Sequence, residues 1–175
     1  MSWHKHIAPL VAAAALLGGL AGCGFQPLYG ERANAVSQQA LAEVRIAPLT
    51  DRVGQLLHIR LSKSMHPRGR ARVAKWELGI LLVSKTERLG IRKDETATRA
   101  NLILEAKFRL KDARTGKAAF QGRSVIIISY NILESRFGTV ASRSDAERRA
   151  TRELGDNIKN RVALFLAQRT TASVR

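Results

Sequence analysis

The single cysteine, Cys23, is the residue of this sequence whose chemistry is most restricted by its surroundings. It follows an uncharged run from Ile7 to Gly22. One cysteine cannot form an internal disulfide, and a zinc site needs several thiolate or imidazole ligands at set spacings. A nucleophilic thiol needs a positioned histidine and an electropositive pocket, whereas Cys23 lies at the border of an apolar leader. Covalent modification is the chemistry that remains.

The residues before Cys23 have the proportions of a secretory signal: a basic start, "MSWHKH", a short apolar region and small residues at its end. The apolar run is shorter than the roughly 20 residues that cross a bilayer as a helix. Leu20-Ala21-Gly22-Cys23 looks like the bacterial lipobox, which predicts cleavage between Gly22 and Cys23. Cys23 would then carry diacylglycerol and an N-linked acyl group, enough chains for stable anchoring. By resemblance to the sorting rules of Gram-negative bacteria, Gly24 in place of Asp after the cysteine implies the outer membrane.

The charge balance predicts a polyanionic partner. Lys and Arg number 30 against 14 Asp and Glu, a formal net charge of +16. Export and an aromatic content of 5% argue against nucleic acid, because stacking on bases needs interleaved aromatic side chains. A phosphorylated, acylated glycolipid fits the exported, basic chain better. The sequence has no phosphate-binding glycine loop, nucleophile elbow or zinc-protease motif, and its acids are scattered, so we expect no enzyme, no metal and no cofactor beyond the acyl groups.

Hydrophobic periodicity predicts one α+β domain over residues 40–170, after a signal peptide (1–22) and a lipidated tether (23–39), with a short tail (171–175). A strand over 41–49 is followed by a helix that Thr50 or Asp51 caps and that ends before Pro67. Strands are predicted over 72–85, 98–112 and 117–132. Ser144 and Glu147 form a capping-box pattern at the start of a long final helix. The order β-α-β-β-β-α predicts a two-layer sandwich: a four-stranded sheet with two helices on one face.

Two details of packing follow from the same patterns. The run Val125 to Ile128 is apolar on both faces, which predicts a more central or covered place in the sheet. Gly155, inside the final helix, is predicted to ease close packing on the sheet. The apolar stripe of that helix consists of Ala146, Ala150, Leu154, Ile158, Val162 and Phe165.

Cationic side chains of the 98–132 hairpin are the candidate binding site. On a sheet covered on one face, outward residues of this hairpin would form a strip of guanidinium and ammonium donors, which suit phosphate. Val125 and Ile127 would lie beside it. We call the candidate residues the basic strip; they are Lys107, Arg109, Lys111, Arg114 and Lys117.

Two motifs carry a resemblance to a known family. "GFQPLYG" follows the lipobox cysteine, and "ISYNILESRFGTVASRSDAERRATRELGDNI" leads into the final helix. Together with the element order, they resemble the LptE family of lipopolysaccharide (LPS)-assembly lipoproteins, in its alphaproteobacterial form. The resemblance implies a non-catalytic outer-membrane lipoprotein that helps the LptD β-barrel assemble, plugs its lumen and binds LPS. In that family the lipid-bearing position matches Cys23.

Two other classes stay open at this point. The chain could be a structural envelope lipoprotein that binds an anionic polymer and has no barrel partner. It could also be a cytosolic nucleic-acid binder whose apparent signal is a core helix. Acylation that depends on Cys23 separates the last class from the others, and recovery of a large β-barrel separates the first two.

Overall fold

Four strands and two long helices form the part of the chain that the computed structural model describes, residues 38–91 and 97–172. Strand β1 (Val44–Ile46) leads into helix α1 (Arg52–Met65). Strands β2 (Trp76–Ile91), β3 (Ala97–Asp112) and β4 (Ala118–Asn131) follow, and helix α2 (Arg136–Ala172) ends the domain. The predicted α+β class and element order are confirmed. The predicted signal peptide, with Gly22, and Cys23 lie outside the described residues.

The sheet has the simplest strand order, β1-β2-β3-β4. β1 pairs with β2 in parallel, so the two need a crossover, which α1 supplies. β2, β3 and β4 are antiparallel neighbours joined in sequence, and β2 pairs with β3 along its whole length, from Trp76 opposite Asp112 to Ile91 opposite Ala97. This long pairing carries β2 past its apolar part into charged residues, which is why it extends beyond the predicted end at 85.

Both helices pack on one face of the sheet and bury it. Every second residue of β3 is buried, and the buried face of α2 repeats at four-residue spacing, as the sequence predicted from Ala146 to Val162. The stripe ends at Leu166 and not at the predicted Phe165, which is only partly buried against the core. Leu57, Leu61 and Met65 of α1 complete the same core. Asp51 caps α1, since its side chain accepts a hydrogen bond from the backbone N–H of Gly54. The core members of α2 are Ala146, Ala150, Leu154, Ile158, Val162 and Leu166.

The predicted start of the final helix at Ser144 is wrong, because α2 begins two turns earlier, at Arg136. Ser135 stands at the N-terminus instead: its hydroxyl accepts from the N–H of Gly138, at 3.3 Å. Thr139 packs back on the preceding segment, where its hydroxyl bonds both the N–H and the carbonyl of Leu133. Ser144 is an interior residue of the helix. The capping-box pattern misled because its two residue types also occur inside helices.

The start of the domain also differs from the prediction. Residues 38–42 are helical and only 44–46 form the strand predicted over 41–49. The helical segment places Leu41 in the core at 4% exposure, next to Val44 and Ile46 of β1. Pro48 follows the strand, so β1 covers only the first residues of β2.

β4 does not have the central position predicted for Val125 to Ile128, because it is an edge strand of the sheet. Its inward residues, such as Ile126 and Tyr130, are buried under α2, while Val125 and Ile127 are exposed on the other face. Apolarity on both sides of β4 therefore marks an exposed apolar surface. Gly155 likewise faces α1 and not the sheet, since a Cβ there would lie 2.9 Å from Cγ of Arg60.

Candidate functional site

The face of the sheet opposite the helices, which we call the outer face, carries the candidate site. On β3 the even-numbered residues from Leu102 to Leu110 point into the core, so the odd-numbered ones point outward. Residues directly opposite in the ladder share a face, so Lys107 stands between Leu81 of β2 and Arg123 of β4. Outward side chains of three strands thus form one continuous surface.

The structure brings the basic strip together at one end of this surface. Lys107, Arg109 and Lys111 are successive outward residues of β3, and all three are exposed. Arg114 lies in the turn that follows, and Lys117 immediately precedes β4. The sequence predicted this grouping, and anion binding by these cations stays a prediction.

The turn between β3 and β4 is fixed by one carboxylate. Oδ1 of Asp112 accepts hydrogen bonds from the backbone N–H of Arg114 and Thr115 and from the Thr115 hydroxyl, at 2.8–3.0 Å. The bonds from Thr115 are the main reason that the pKa of Asp112 is lowered. Gly116 adopts a φ of 68°, in the left-handed region that glycine tolerates best. The turn therefore holds Arg114 and Lys117 at defined backbone positions.

Charge on the outer face is only partly neutralised within the protein. Glu105 receives two hydrogen bonds from Arg123, at 2.8 and 3.1 Å, and lies 3.9 Å from the Lys107 ammonium. The bond from Arg123 holds the pKa of Glu105 below its usual value, and the same contact raises the pKa of Arg123. In the described part of the chain, Arg109 and Lys111 form no ion pair. The Arg123 guanidinium is therefore largely occupied by Glu105, while most of the basic strip is free to bind an anion from outside the protein.

A glycine opens a shallow depression beside Arg109. Gly79 stands opposite Arg109 on the outer face, where a side chain would otherwise cover the strand. A Cβ at Gly79 would approach nothing nearer than the carbonyl oxygen of Arg109, at 4.0 Å. The depression has a volume of about 640 Å³. Its outer-face lining includes Gly79, Leu81, Lys107, Arg109, Lys111 and Gln121.

An exposed apolar patch adjoins the basic strip on the same face. Leu81 is 63% exposed, Val83 53% and Ile127 57%, although all three stand on long regular strands. Contiguous exposed apolar side chains on a soluble domain mark a surface that meets another apolar body. We call this patch the apolar centre; it comprises Leu81, Val83, Ile103, Val125 and Ile127.

Sequence reasoning found only part of this patch. It placed Val125 and Ile127 beside the basic strip but passed over Leu81 and Val83, since it assigned only the alternate residues of β2 to a face. The uninterrupted run from Ile80 to Val83 was the available signal: in a strand with one uncovered face, such a run must put apolar side chains on both sides.

Other kinds of site are not indicated by the described residues. Within 38–91 and 97–172, no group of three or more His, Cys, Asp or Glu side chains is placed to hold a metal ion. In that same part of the chain, no helix is long and apolar enough to cross a membrane. The outer face, with clustered cations beside exposed apolar side chains, is the surface to which a function has to be related.

Fold and surface together define a class: a two-layer α+β domain with one uncovered sheet face that is basic at one end and apolar in the middle. The family model described as "LptE: Lipopolysaccharide-assembly" matches residues 39–162. The chain therefore belongs to the LptE family of LPS-assembly lipoproteins, and this family is non-catalytic. A comparison with curated protein sequences gives no match.

Solved structures of bacterial lipoproteins share the fold. A candidate lipoprotein from Caulobacter crescentus CB15 superposes with a TM-score of 0.66 at 22% identity, over 76% of this chain and 97% of that one. Lipoprotein B from Nitrosomonas europaea gives a TM-score of 0.51 at 16% identity, over 70% and 82%. A minor lipoprotein from Acinetobacter baumannii gives 0.50 at 16%, over 69% and 90%. At these identities the likeness establishes the architecture.

Proposed function

We propose that this protein is the lipid-anchored subunit of an outer-membrane LPS translocon, held by acyl groups on Cys23 after cleavage behind Gly22. In this proposal it assembles with the LptD β-barrel, plugs the lumen and binds LPS on its way to the cell surface. Family membership supports the general role, LPS assembly. The outer membrane, the barrel and the lipid-binding residues are the parts that need experiments.

The observation that carries the LPS-binding part is the adjacency of the basic strip and the apolar centre. Lys107 lies directly opposite Leu81 in the β2–β3 ladder, and the next outward residue of β2 is Val83. LPS presents phosphates beside acyl chains, so guanidinium and ammonium donors next to exposed aliphatic side chains match both halves of such a molecule. Arg109 and Lys111, beside the depression at Gly79, are the central phosphate donors in this proposal.

Recovery of the barrel tests the translocon assignment. We expect the mature, acylated protein, pulled down from detergent-solubilised outer membrane, to bring a large β-barrel with it in stoichiometric amount. Depletion of the protein should reduce both assembled barrel and surface LPS. Normal levels of both, with no barrel recovered, would instead favour a structural lipoprotein that binds an anionic polymer. Palmitate labelling that persists in Cys23→Ala would contradict the anchor.

Charge reversal at Arg109 and Lys111 tests the binding surface. We expect Arg109→Glu/Lys111→Glu to weaken LPS binding by about 10- to 100-fold, since two attractive contacts become repulsive. Arg148→Glu/Arg152→Glu reverses two exposed cations on α2 by the same amount and should leave LPS affinity close to that of the wild type. Equal losses in both variants would show that LPS senses only net charge.

Gly79→Glu provides a second variant that keeps the natural cations. An added Cβ at this position meets no close neighbour, so the strand should accept the side chain. The new carboxylate would occupy the depression and pair with Arg109, and LPS binding should fall although the fold, followed by circular dichroism, is retained. Undiminished binding by this variant would remove the depression from the proposed site.

A further inference from the structure

The loop between α1 and β2, residues 66–75 with the sequence "HPRGRARVAK", is a second cationic surface, which we call the arginine loop. It contains no acidic residue. Lys75 is paired with Glu43 at 2.8 Å. Arg68, Arg70 and Arg72 are exposed, and within the described residues they form no ion pair. Three exposed guanidinium groups at alternate positions, in a loop without acids, create a local positive potential that attracts anions.

Backbone hydrogen bonds tie the arginine loop to the point where the chain enters the domain. The N–H of Ala71 donates to the carbonyl of Ala42, at 3.0 Å, and the N–H of Lys75 to that of Glu43, at 2.9 Å. The His66 ring lies 2.9 Å from the carbonyl oxygen of Val44. The loop is therefore held against the residues that immediately follow the predicted tether.

Two further elements, the β3–β4 turn and the end of α2, lie at the same end of the domain as the arginine loop. The N–H of Ala113, in the β3–β4 turn, donates to the carbonyl of Lys75, at 2.9 Å. Arg169, near the end of α2, lies 5.3 Å from the ring of Trp76, the first residue of β2. One pole of the domain thus carries the arginine loop, the β3–β4 turn and residues 42–44, at the beginning of the domain.

We propose that the arginine loop binds the anionic phospholipid headgroups of the membrane that holds Cys23. This inference rests on the lipid anchor in the proposed function. Only 14 residues separate Cys23 from Gln38, the first residue that the structure describes, so acyl groups on Cys23 would keep this pole near the headgroups. Clustered Arg side chains beside a membrane anchor gain attraction to an anionic leaflet, and the anchor raises their local concentration there.

Val73 fits the same role. It is 77% exposed, follows Arg72 directly and does not belong to the core. An aliphatic side chain between cations can enter the boundary between headgroups and acyl chains while the guanidinium groups stay among the phosphates. The loop lacks aromatic side chains, which argues against nucleic acid as its partner. The loop adjoins the β3–β4 turn that carries Arg114, so the test has to separate phospholipid binding from LPS binding.

Vesicle binding by the mature chain without its acyl groups, as Cys23→Ser, tests the proposal. We expect binding to vesicles of phosphatidylcholine with about one-third phosphatidylglycerol, and little binding to phosphatidylcholine alone. Arg68→Gln/Arg70→Gln/Arg72→Gln should weaken binding to the anionic vesicles by roughly 100-fold, about fivefold per arginine. Arg148→Gln/Arg149→Gln/Arg152→Gln removes the same charge from α2 and should change binding by less than about threefold.

Trp76 offers a readout of which pole touches the vesicle. The sequence contains two tryptophans, and Trp3 is removed with the predicted signal, so Trp76 is the sole donor in the mature chain. Because it lies at the base of the arginine loop, we expect energy transfer from Trp76 to a dansyl group on the lipid headgroups. The transfer should be lost in the loop triple variant and retained in the α2 triple variant.

The outcomes separate this inference from the proposed function. Equal loss in the two triple variants, or binding without energy transfer from Trp76, would overturn the assignment of the loop. If the acylated loop variant recovers the barrel and binds LPS normally while its unacylated form has lost vesicle binding, both proposals stand. If it loses LPS binding but keeps vesicle binding, the loop belongs to the LPS site and the inference is wrong.

Discussion

At the scale of single residues, Glu105 controls how much positive charge the outer face offers. Its carboxylate holds Arg123 through two hydrogen bonds and also attracts Lys107. Its lowered pKa means that it stays ionised, and this pairing stays intact, well below neutral pH. The stabilisation that the pair gives the fold is present above the ordinary pKa of a glutamate and is lost as the pH falls through the lowered value.

Glu105→Gln should therefore strengthen binding of a polyanion at neutral pH. Removal of the carboxylate charge releases Arg123 and Lys107, and we expect affinity for LPS to rise about threefold at low salt, a size usual for one surface charge. Calorimetric titration at neutral pH measures it, with Glu153→Gln on α2 as the matched control. As the pH falls through the lowered pKa of Glu105, wild type and variant should converge; a constant difference would contradict the electrostatic explanation.

At the scale of secondary-structure elements, the contact between α1 and α2 depends on Gly155. The missing side chain makes room for Arg60, whose guanidinium reaches Asp156 with two contacts of 2.7 Å. A Cβ at Gly155 would lie 2.9 Å from Cγ of Arg60, and this atom cannot swing away while the guanidinium stays on Asp156. The glycine weakens α2 locally in exchange for close approach of the two helices.

Gly155→Val should destabilise the domain by about 1–3 kcal/mol, the usual cost of overpacking. Arg60→Ala removes the atom that the new side chain would meet, so the double variant should be more stable than the sum of the two single effects predicts. Urea denaturation of the four proteins in the cycle measures the coupling. Strict additivity would show that Arg60 is not the group that requires a glycine at position 155.

At the scale of the whole molecule, cations outnumber acids on the helices as well as on the outer face: α2 carries eight Lys or Arg against four Asp or Glu. Some of these charges are paired, such as Arg149 with Asp145. The pairing lowers the pKa of Asp145. Long-range steering of a polyanion should depend on this excess of positive charge. Removal of the predicted signal would take only the charge of Lys5 from the formal charge of +16.

Association with LPS micelles should consequently slow as salt rises. We expect the association rate constant to fall roughly tenfold between about 50 and 500 mM NaCl, because the Debye length shrinks to a few ångströms. The free energy of unfolding should change little over the same range, since the core is apolar. Stopped-flow measurements follow the rate, and a salt-independent rate would mean that apolar contact, and not charge, guides the encounter.

Much of this architecture was predictable because the hydrophobic pattern is local. The alternation on β3 and the four-residue spacing from Ala146 to Val162 gave the strand, the helix and their buried faces. The predicted ends of strands and helices were wrong where contacts with residues far away in the sequence determine them. β2 is extended by its pairing with β3, and α2 starts at Arg136, where Thr139 bonds the backbone of Leu133.

The candidate site, too, was predictable only where it depends on local sequence pattern. Lys107, Arg109 and Lys111 share the outer face, as alternate residues of one strand must, while binding by the basic strip stays a prediction. Its electrostatic state was not predictable: that Arg123 is held by Glu105 depends on the register between β3 and β4. The depression at Gly79 and the contribution of Leu81 and Val83 likewise depend on which residues of β2 stand opposite Arg109, Lys107 and Glu105.

The sequence by itself determined the family, the class of fold and the sign of the charge, because short motifs, periodicity and composition do not depend on distant contacts. Only the tertiary structure decided that β4 is an edge strand, that its apolar outer residues stay uncovered and that Gly155 meets α1. The tertiary structure alone also decided that the arginine loop lies against residues 42–44, at the beginning of the domain. These features depend on residues far apart in sequence, whose proximity is set when the sheet and both helices pack together.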